Sequence, residues 1–384
     1  MTLFELAPEG DLQSVFEQIG VDRAGVAILA QKSQMRRFRI AQLKTPAANI
    51  LKQEAISVGA DLAVPAGTIC CEEEWVEAIL LATDRQLGRL GRKLRAQPFG
   101  LKALGERLTQ LIGPPSFDLQ IMGVLNINHD SFNPASRTGG DEAVLKAEAM
   151  IEAGADLIDI GAVSSRPGST PISPKEEIAR LKPTVEALYR AKVHERVKLS
   201  LDSYTPEAIT YGLDRGFGLI NDITGGQSEA VLALASRYRV PLCLMHMQGS
   251  PQTMQHNPHY EDVVAEVEAF FIERIARAEA AGVSDLILDV GIGFGKRLEH
   301  NLALINAQGH FRHLGYPLLI GASRKSLIDA ICPSVVADRL PGTLAIHLRA
   351  VQLGASIVRC HDVAEHYQAL KVACALQPFQ SARV

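Results

Sequence analysis

The 384-residue chain is poor in aromatic residues, which make up 5% of it, and contains a single tryptophan. It carries no strong charge of either sign, with 39 Lys and Arg against 43 Asp and Glu. That balance gives no overall field for drawing in a phosphate backbone or an anionic lipid surface, so any anion site must be local. No apolar stretch approaches the roughly 20 uninterrupted residues that a membrane-spanning helix needs. The six cysteines, Cys70, Cys71, Cys243, Cys332, Cys360 and Cys374, include no pair at the two-residue spacing of a zinc or redox motif. They read as reduced, mostly buried small hydrophobes. The opening residues carry Glu5, Glu9 and Asp11 where a secretory leader would be basic and then apolar, so a cytoplasmic protein is expected. What is present in quantity is apolar: 47% of residues are hydrophobic, enough for a large core, which excludes disorder, coiled coil and collagen.

From residue 117 onward, short apolar runs ending in polar residues alternate with longer segments of helical period. The runs are 119–127, 156–162, 197–202, 219–223, 241–247, 286–291, 317–322 and 356–363. Between them, segments such as 141–153, 175–190, 206–216, 228–238, 260–282, 300–308 and 342–354 repeat apolar residues three or four apart. Several end on glycine, at Gly154, Gly216, Gly282 and Gly354, the common way to leave a helix through a left-handed turn. Eight such units match a closed (β/α)8 barrel, for which about 250 residues is typical. An open doubly wound sheet is the rival, but no Gly-x-Gly-x-x-Gly follows the first strand to mark a dinucleotide crevice.

Residues 1–115 read as a separate small α/β appendage, and 116–384 as the barrel. In the appendage, apolar runs at 24–30, 37–43 and 61–69 are interleaved with helical stretches at 11–19, 46–58 and 72–82. Residues 85–107 hold seven cations, Arg85, Arg89, Arg92, Lys93, Arg95, Lys102 and Arg107, interrupted by Gly88, Gly91 and Pro98. No aromatic residue interleaves these charges, which favours a solvated helical face and connector over a nucleic-acid or membrane contact.

A barrel's active site lies at the C-terminal ends of its strands. Those ends carry Asn126, Asp159, Asp202, Asn221, His246, Asp289, then Ser323, Arg324 and Lys325, then Arg359 and His361. Ionised groups are costly in a buried mouth unless paired or bound to a ligand. Strand alternation puts Arg359 and His361 on one face, and likewise Ser200 with Asp202 and Ile287 with Asp289. Asp159 is equally readable as a core carboxylate, His246 as a satisfied structural histidine, and His256 with His259 as a loop clamp. The glycines of 289–296 suit a tight turn as well as a phosphate loop. Asp202, Asn221 and Asp289 suit a flat heterocycle with amine and ring N–H donors. Arg359, His361, Arg166 and the amide of Asn126 suit an oxyanion, since guanidinium holds phosphate in a bidentate fork.

These stretches resemble dihydropteroate synthase, the pterin-condensing family of folate synthesis, over about residues 117–378. The matching motifs are Ile121-Met-Gly-Val-Leu-Asn126 with Asp130-Ser-Phe132, Asp159-Ile-Gly161 with Ser164-Ser-Arg-Pro-Gly168, Ser200-Leu-Asp202 and Ile220-Asn-Asp-Ile223. They continue with Leu244-Met-His-Met-Gln-Gly249, Gly291-Ile-Gly-Phe-Gly-Lys296, Ser323-Arg-Lys-Ser326 and Arg359-Cys-His-Asp-Val363. The first ~115 residues lie outside the resemblance.

The resemblance implies an enzyme that joins 6-hydroxymethyl-7,8-dihydropterin diphosphate to 4-aminobenzoate, releasing diphosphate. It implies that Asp202, Asn221, Asp289 and Lys325 grip the pterin ring, and that Asn126, Arg166, Arg359 and His361 hold the diphosphate, with Mg2+ as cofactor at Asn126. Ser165, Arg166, Pro167, Phe294, Ser323 and Lys325 would form the aminobenzoate site. Asp202, Asp289, Lys325, Arg359 and His361 would carry catalysis. Small-molecule substrates, no nucleic acid, no membrane and a homodimer go with this expectation. The sequence departs from the family pattern at Ile127-Asn-His129, at Ala162-Val163 and at Val290. A pterin-binding methyltransferase-like barrel and a non-catalytic pterin-binding protein are the alternatives.

Overall fold

The computed structural model describes residues 12–113, 115–127, 138–163 and 172–376. It divides into two compact units, the first running to Ser116 and the second from Phe117 to Ala373. The first unit contains α1 (Leu12–Gln18), α2 (Arg23–Ser33), β1 (Arg36–Lys44), α3 (Thr45–Ser57), β2 (Asp61–Ala63), β3 (Trp75–Ala82), α4 (Asp84–Leu94) and α5 (Leu101–Gln110). Its antiparallel sheet has the order β1-β3-β2.

Two elements of this unit differ from the sequence expectation. The run 24–30 is helical, because alanine and leucine favour a helix and the Asp22 carboxylate caps it by accepting from the Ala24 N–H at 2.9 Å. Residues 72–82 are not a helix but end in the central strand β3, where Val76, Ala78, Leu80 and Ala82 are buried in strict alternation. That period of two is written in the sequence, and pairing on both sides decides it. Gly88 and Gly91 do not break the basic stretch: α4 runs through both. A Cβ on Gly91 would lie 2.7 Å from the Gly105 carbonyl oxygen, so these glycines let α4 and α5 cross closely, while Leu87, Leu90, Leu94, Leu101 and Leu108 are buried.

The second unit contains β4 (Gln120–Asn126), β5 (Leu157–Gly161), β6 (Lys198–Asp202), β7 (Phe217–Asp222), β8 (Leu242–Met245), β9 (Leu286–Asp289), β10 (Leu318–Ile320) and β11 (Ile357–Cys360). They are parallel and close on themselves, β11 pairing with β4. Each falls on one of the eight expected runs. Helices α6 (Thr138–Glu152), α7 (Pro174–Arg190), α8 (Pro206–Leu213), α9 (Glu229–Tyr238), α10 (Val263–Ala280), α11 (Leu298–Asn306), α12 (Gln308–Phe311), α13 (Ser326–Ile331), α14 (Leu340–Gln352) and α15 (Val363–Leu376) lie between and after the strands. The periodicity misses α15, because it buries Val363, His366 and Leu370 yet exposes Tyr367, Val372 and Leu376, which blurs the apolar stripe.

The main core packs the outward strand faces against the helices. A second cluster, Met122, Leu157, Leu219, Cys243, Ile287, Leu319 and Ile357, takes one residue from each of seven strands and plugs the barrel.

Candidate active site

Counting two residues along each strand from that apolar plug brings the side chains back to the same face, one layer nearer the C-terminal mouth. Four of the seven residues reached are polar: Asp159 on β5, Asn221 on β7, Asp289 on β9 and Arg359 on β11. The plug thus floors the mouth with a dry layer directly beneath four polar groups.

Asp159 is the hub of this layer and is fully buried. It accepts from Ser200 Oγ at 2.6 Å, from Asn221 Nδ2 at 3.0 Å and from Arg359 Nε at 2.6 Å. Arg359 also donates through Nη2 to Asp202 at 2.9 Å. One half-buried guanidinium therefore serves two carboxylates, the fully buried Asp159 and the partly exposed Asp202. Burial first, and Asp159 beside it second, push the Asp202 carboxyl up to about 7, and Arg359 opposes them. The carboxylates expected for a ring and the Arg359 expected for an anion are hydrogen-bonded to one another here. Parity named the face on which Arg359 lies but not its neighbours, and the guanidinium bonds both Asp202 and the carboxylate that holds Asn221.

Asp289 and Lys325 influence each other electrostatically without forming a direct ion pair among the described residues. Asp289 accepts from the Gly291 N–H at 2.8 Å, and burial raises its carboxyl pKa against the pull of Lys325. Lys325 donates to the Ile292 carbonyl and lies 4.7 Å from the centre of the Phe294 ring. Burial lowers its amine to about 8, although Asp289 favours the charged form. The intervening glycine run is a turn that uses its own N–H groups: Gly291 bonds Asp289 and Gly293 bonds Asn301 Oδ1 at 2.7 Å. Gly291 has φ +69, and a Cβ there would fall 1.9 Å from the His246 carbonyl oxygen, so only glycine fits. Lys296 closes the turn, with Nζ 2.9 Å from His246 Nδ1 and donating to the His246 and Phe294 carbonyls. Burial brings the Lys296 amine down to about 7 and the His246 imidazole to about 2, so His246 is neutral, the satisfied structural histidine expected.

At the end of β10 the chain turns sharply, with Arg324 at φ +56. The bend is held by two bonds from Arg324 to Asp362, at 2.9 and 2.6 Å, and by its backbone N–H on Thr343 Oγ1 at 2.9 Å. Arg324 is thereby a strut, and its neighbours face the mouth. Ser323 Oγ stands 2.9 Å from His361 Nδ1 and accepts from the His361 N–H at 3.3 Å. After β6, Glu177 of α7 accepts from Ser203 Oγ at 2.6 Å and Thr205 Oγ1 at 2.5 Å, pinning the loop beyond Asp202. Burial raises the Glu177 pKa.

The structure therefore brings Asp202, Asn221 and Arg359 into one network through Asp159, Lys325 over the Phe294 ring, and Ser323 against His361. Asn126 ends β4 and is exposed. Ser165, Arg166 and Pro167 lie outside the described residues, as do Asn128 and His129 of the atypical first loop. Asp159 was legible equally as a strand-end candidate and as a core carboxylate, Lys296 only as a glycine-run neighbour, and Glu177 carried no sequence signal because it acts from a helix.

The sequence profile of one family, described as pterin binding enzyme, matches residues 122–361. The chain is 41% identical over 373 residues to a bifunctional dihydropteroate synthase/dihydropteroate reductase of Helicobacter pylori, covering 97% of this chain and 98% of that protein. It is 43% identical over 255 residues to dihydropteroate synthase of Escherichia coli, covering 66% of this chain and 89% of that protein. Among solved structures, dihydropteroate synthase of Thermus thermophilus in complex with 4-aminobenzoate superposes with a TM-score of 0.60 at 41% identity, covering 67% of this chain and 95% of that one.

Proposed function

This chain belongs to the pterin binding enzymes, and among them to the dihydropteroate synthases; from that premise we propose how its barrel mouth divides the work. The enzyme condenses 6-hydroxymethyl-7,8-dihydropterin diphosphate with 4-aminobenzoate to 7,8-dihydropteroate and diphosphate in folate biosynthesis. The observation that carries our assignment of roles is the hydrogen-bonded layer of Asp159, Asp202, Asn221 and Arg359 beside Asp289 and Lys325. Two carboxylates, Asp202 and Asp289, and the Asn221 amide offer acceptors to the amine and ring N–H groups of a pterin, and Lys325 offers a donor to its carbonyl. The pterin then supplies hydrogen bonds that offset the desolvation of Asp202 and Asp289. Two of the five Arg359 donors are used on carboxylates, which leaves the guanidinium able to donate to a leaving diphosphate. His361, Arg166 and Asn126 would complete that anion site, and Ser165, Arg166, Pro167, Phe294, Ser323 and Lys325 would hold 4-aminobenzoate.

The bond broken joins the exocyclic CH2 of the pterin to a diphosphate oxygen. Positive charge develops on the ring, where Asp202 and Asp289 stabilise it, and negative charge develops on the leaving group, beside Arg359. The arylamine is neutral at pH 7 and attacks the carbon directly, so no strong general base is required. Asn126 offers an exposed, hard amide oxygen at the mouth, which fits an ion that keeps most of its waters and takes substrate phosphate as ligand. When bound there, Mg2+ would neutralise diphosphate charge. A cytoplasmic homodimer without nucleic-acid or membrane partners belongs to the same reading; among the described residues no helix is long and apolar enough to cross a membrane.

A second activity is favoured by one observation: the Helicobacter relative matches 97% of this chain, first unit included, whereas the Escherichia relative matches 66%. We infer that the whole chain also reduces dihydropteroate, by adding a hydride from a reduced nicotinamide or flavin and a proton across the remaining C=N bond of the dihydropterin. Incubation with the pterin diphosphate, Mg2+ and labelled 4-aminobenzoate is expected to yield labelled 7,8-dihydropteroate. Addition of the reduced donor is expected to carry the label to the tetrahydro level. Label that never leaves aminobenzoate overturns the site roles; label that stops at dihydropteroate with every donor overturns the reductase alone.

A further inference from the structure

Away from the mouth, in the helical layer of the second unit, Glu268 of α10 meets two histidines that precede β10. His310 lies in α12 and His313 in the 3-10 turn Arg312–Leu314. His310 Nε2 is 3.4 Å from Glu268 Oε2, and His313 Nε2 is 2.9 Å from Glu268 Oε1. One ligand atom from each of the three residues lies within 4.8 Å of the others. We propose that Glu268, His310 and His313 form a binding site for one late first-row divalent cation, Zn2+ being the best fit.

The tautomer of His313 is the first argument. Its Nδ1 is bonded to the carbonyl oxygen of His310, and a carbonyl only accepts, so the proton sits on Nδ1. In the neutral ring Nε2 then presents a lone pair toward a carboxylate oxygen. Two lone pairs at 2.9 Å repel unless a positive charge lies between them. A ring N–H anchored on a backbone carbonyl is also how metal-bound histidines are usually held. His310 supplies the second argument. Its Nε2 is shut off from solvent and lacks a hydrogen-bond partner, while facing the same carboxylate. A proton on His313 would settle one contact, whereas a cation settles both.

The donor set selects the ion. Two imidazole nitrogens and one carboxylate suit Zn2+, Co2+, Ni2+ or Cu2+ and do not suit Mg2+ or Ca2+, which take oxygen ligands. Ligand atoms about 2.0–2.2 Å from one tetrahedral ion stand roughly 3.3–3.6 Å apart; the 3.4 Å between His310 and Glu268 falls in that range, and the 2.9 Å between His313 and Glu268 is shorter and would open as an ion enters. Below the cluster, Phe311 packs on Phe271 at 5.8 Å between ring centres, and both are fully buried. The His310 side chain is 31% exposed, against 6% for Glu268, so its ring lies at the edge of the cluster, on the side nearest solvent.

The experiment titrates Zn2+, and separately Co2+, into the full-length, metal-stripped protein in Mg2+-containing buffer, followed by calorimetry and by visible Co2+ absorption. The expected result is one equivalent bound, a tetrahedral Co2+ spectrum and a higher melting temperature. His310→Ala is expected to weaken that site at least tenfold while synthase activity and the circular dichroism spectrum stay as in the wild type. Glu268→Gln tests the carboxylate. If this buried change unfolds the chain, the more exposed His310→Ala decides alone. No stoichiometric binding, or binding unchanged in both His310→Ala and His313→Ala, overturns the site and leaves an ordinary histidine–glutamate ion pair.

Discussion

Arg359 shows how one side chain ties stability to recognition. It satisfies Asp159 and Asp202 at once, so Arg359→Ala removes a diphosphate contact and also strands the fully buried Asp159 and the half-buried Asp202. Diphosphate-substrate affinity is expected to fall on the order of 10- to 100-fold. Folding stability is expected to fall by about 3–5 kcal/mol, and the pterin alcohol should bind more weakly too, because Asp202 loses its partner. Calorimetry with both ligands and urea unfolding check this; an unaltered unfolding midpoint would sink it. Lys325 sets a pH dependence. Its amine, brought down to about 8, donates fully only below that value, so kcat/KM is expected to fall as pH rises through about 8. Lys325→Met should abolish that limb along with most of the activity. Lys296 governs stability with a defined sign. Its folded value of about 7 lies below the ~10.4 of an unfolded lysine, so between those values the unfolded chain holds more protons and stability rises with pH. Asp202 acts oppositely at lower pH: its folded value of about 7 exceeds ~3.9, and its contribution to stability is lost as pH rises from about 4 to 7. Unfolding of Lys296→Met at pH 7 and pH 9 is expected to show a smaller rise than the wild type; an identical rise would mean that another group carries it.

Among the elements, α14 and α15 steady the turn that carries Ser323 and Lys325. The Ala322 N–H donates to His347 Nε2 at 3.0 Å, which places the His347 proton on Nδ1; Nδ1 stands 2.9 Å from His366 Nε2, and His366 Nδ1 donates to the Asp362 carbonyl at 2.6 Å. Both rings are buried, and burial lowers both pKa values, so the chain of bonds is a neutral, directional one. His347→Leu keeps bulk but leaves the Ala322 N–H and His366 Nε2 without that partner. The expected loss is about 1–3 kcal/mol of stability, with KM for 4-aminobenzoate raised more than for the pterin. Thermal unfolding and steady-state kinetics measure both, and equal changes in the two KM values would remove the link to this turn. The strand runs were legible because eight dry strands need eight apolar stretches. The bonds between α14, α15 and the β10 turn were not, since they join His347 and His366 to a peptide more than 20 residues upstream of either one.

At the level of the whole molecule, each unit has its own core: Leu51, Leu80, Leu87, Leu90 and Leu94 in the first, and the barrel layers in the second. Gly113 and Pro115 precede the boundary at Ser116. A chain beginning near Gly113 is therefore expected to fold and to retain synthase activity within about tenfold in kcat/KM, while losing reduction of dihydropteroate. Circular dichroism and both assays on the truncated and full-length proteins decide it. A larger drop in synthase activity with the barrel still folded would show that the first unit serves condensation as well.

By itself the sequence determined the barrel, its strand ends and the parity that aims Asp202, Asn221, Asp289 and Arg359 into the mouth, because periods of two and 3.6 are local properties of the chain. It misjudged 24–30 and 72–82, where alanine-rich composition and the alternation from Val76 to Ala82 had to compete with a coarser apolar pattern. Only the tertiary structure decided that Asp159 is the hub, that Arg359 is shared by two carboxylates, that Ser323 faces His361 and that His310 and His313 converge on Glu268. Those pairings join residues from separate strands and helices, and what sets them is the closure of the barrel and the packing of its helical layer, which no local period encodes.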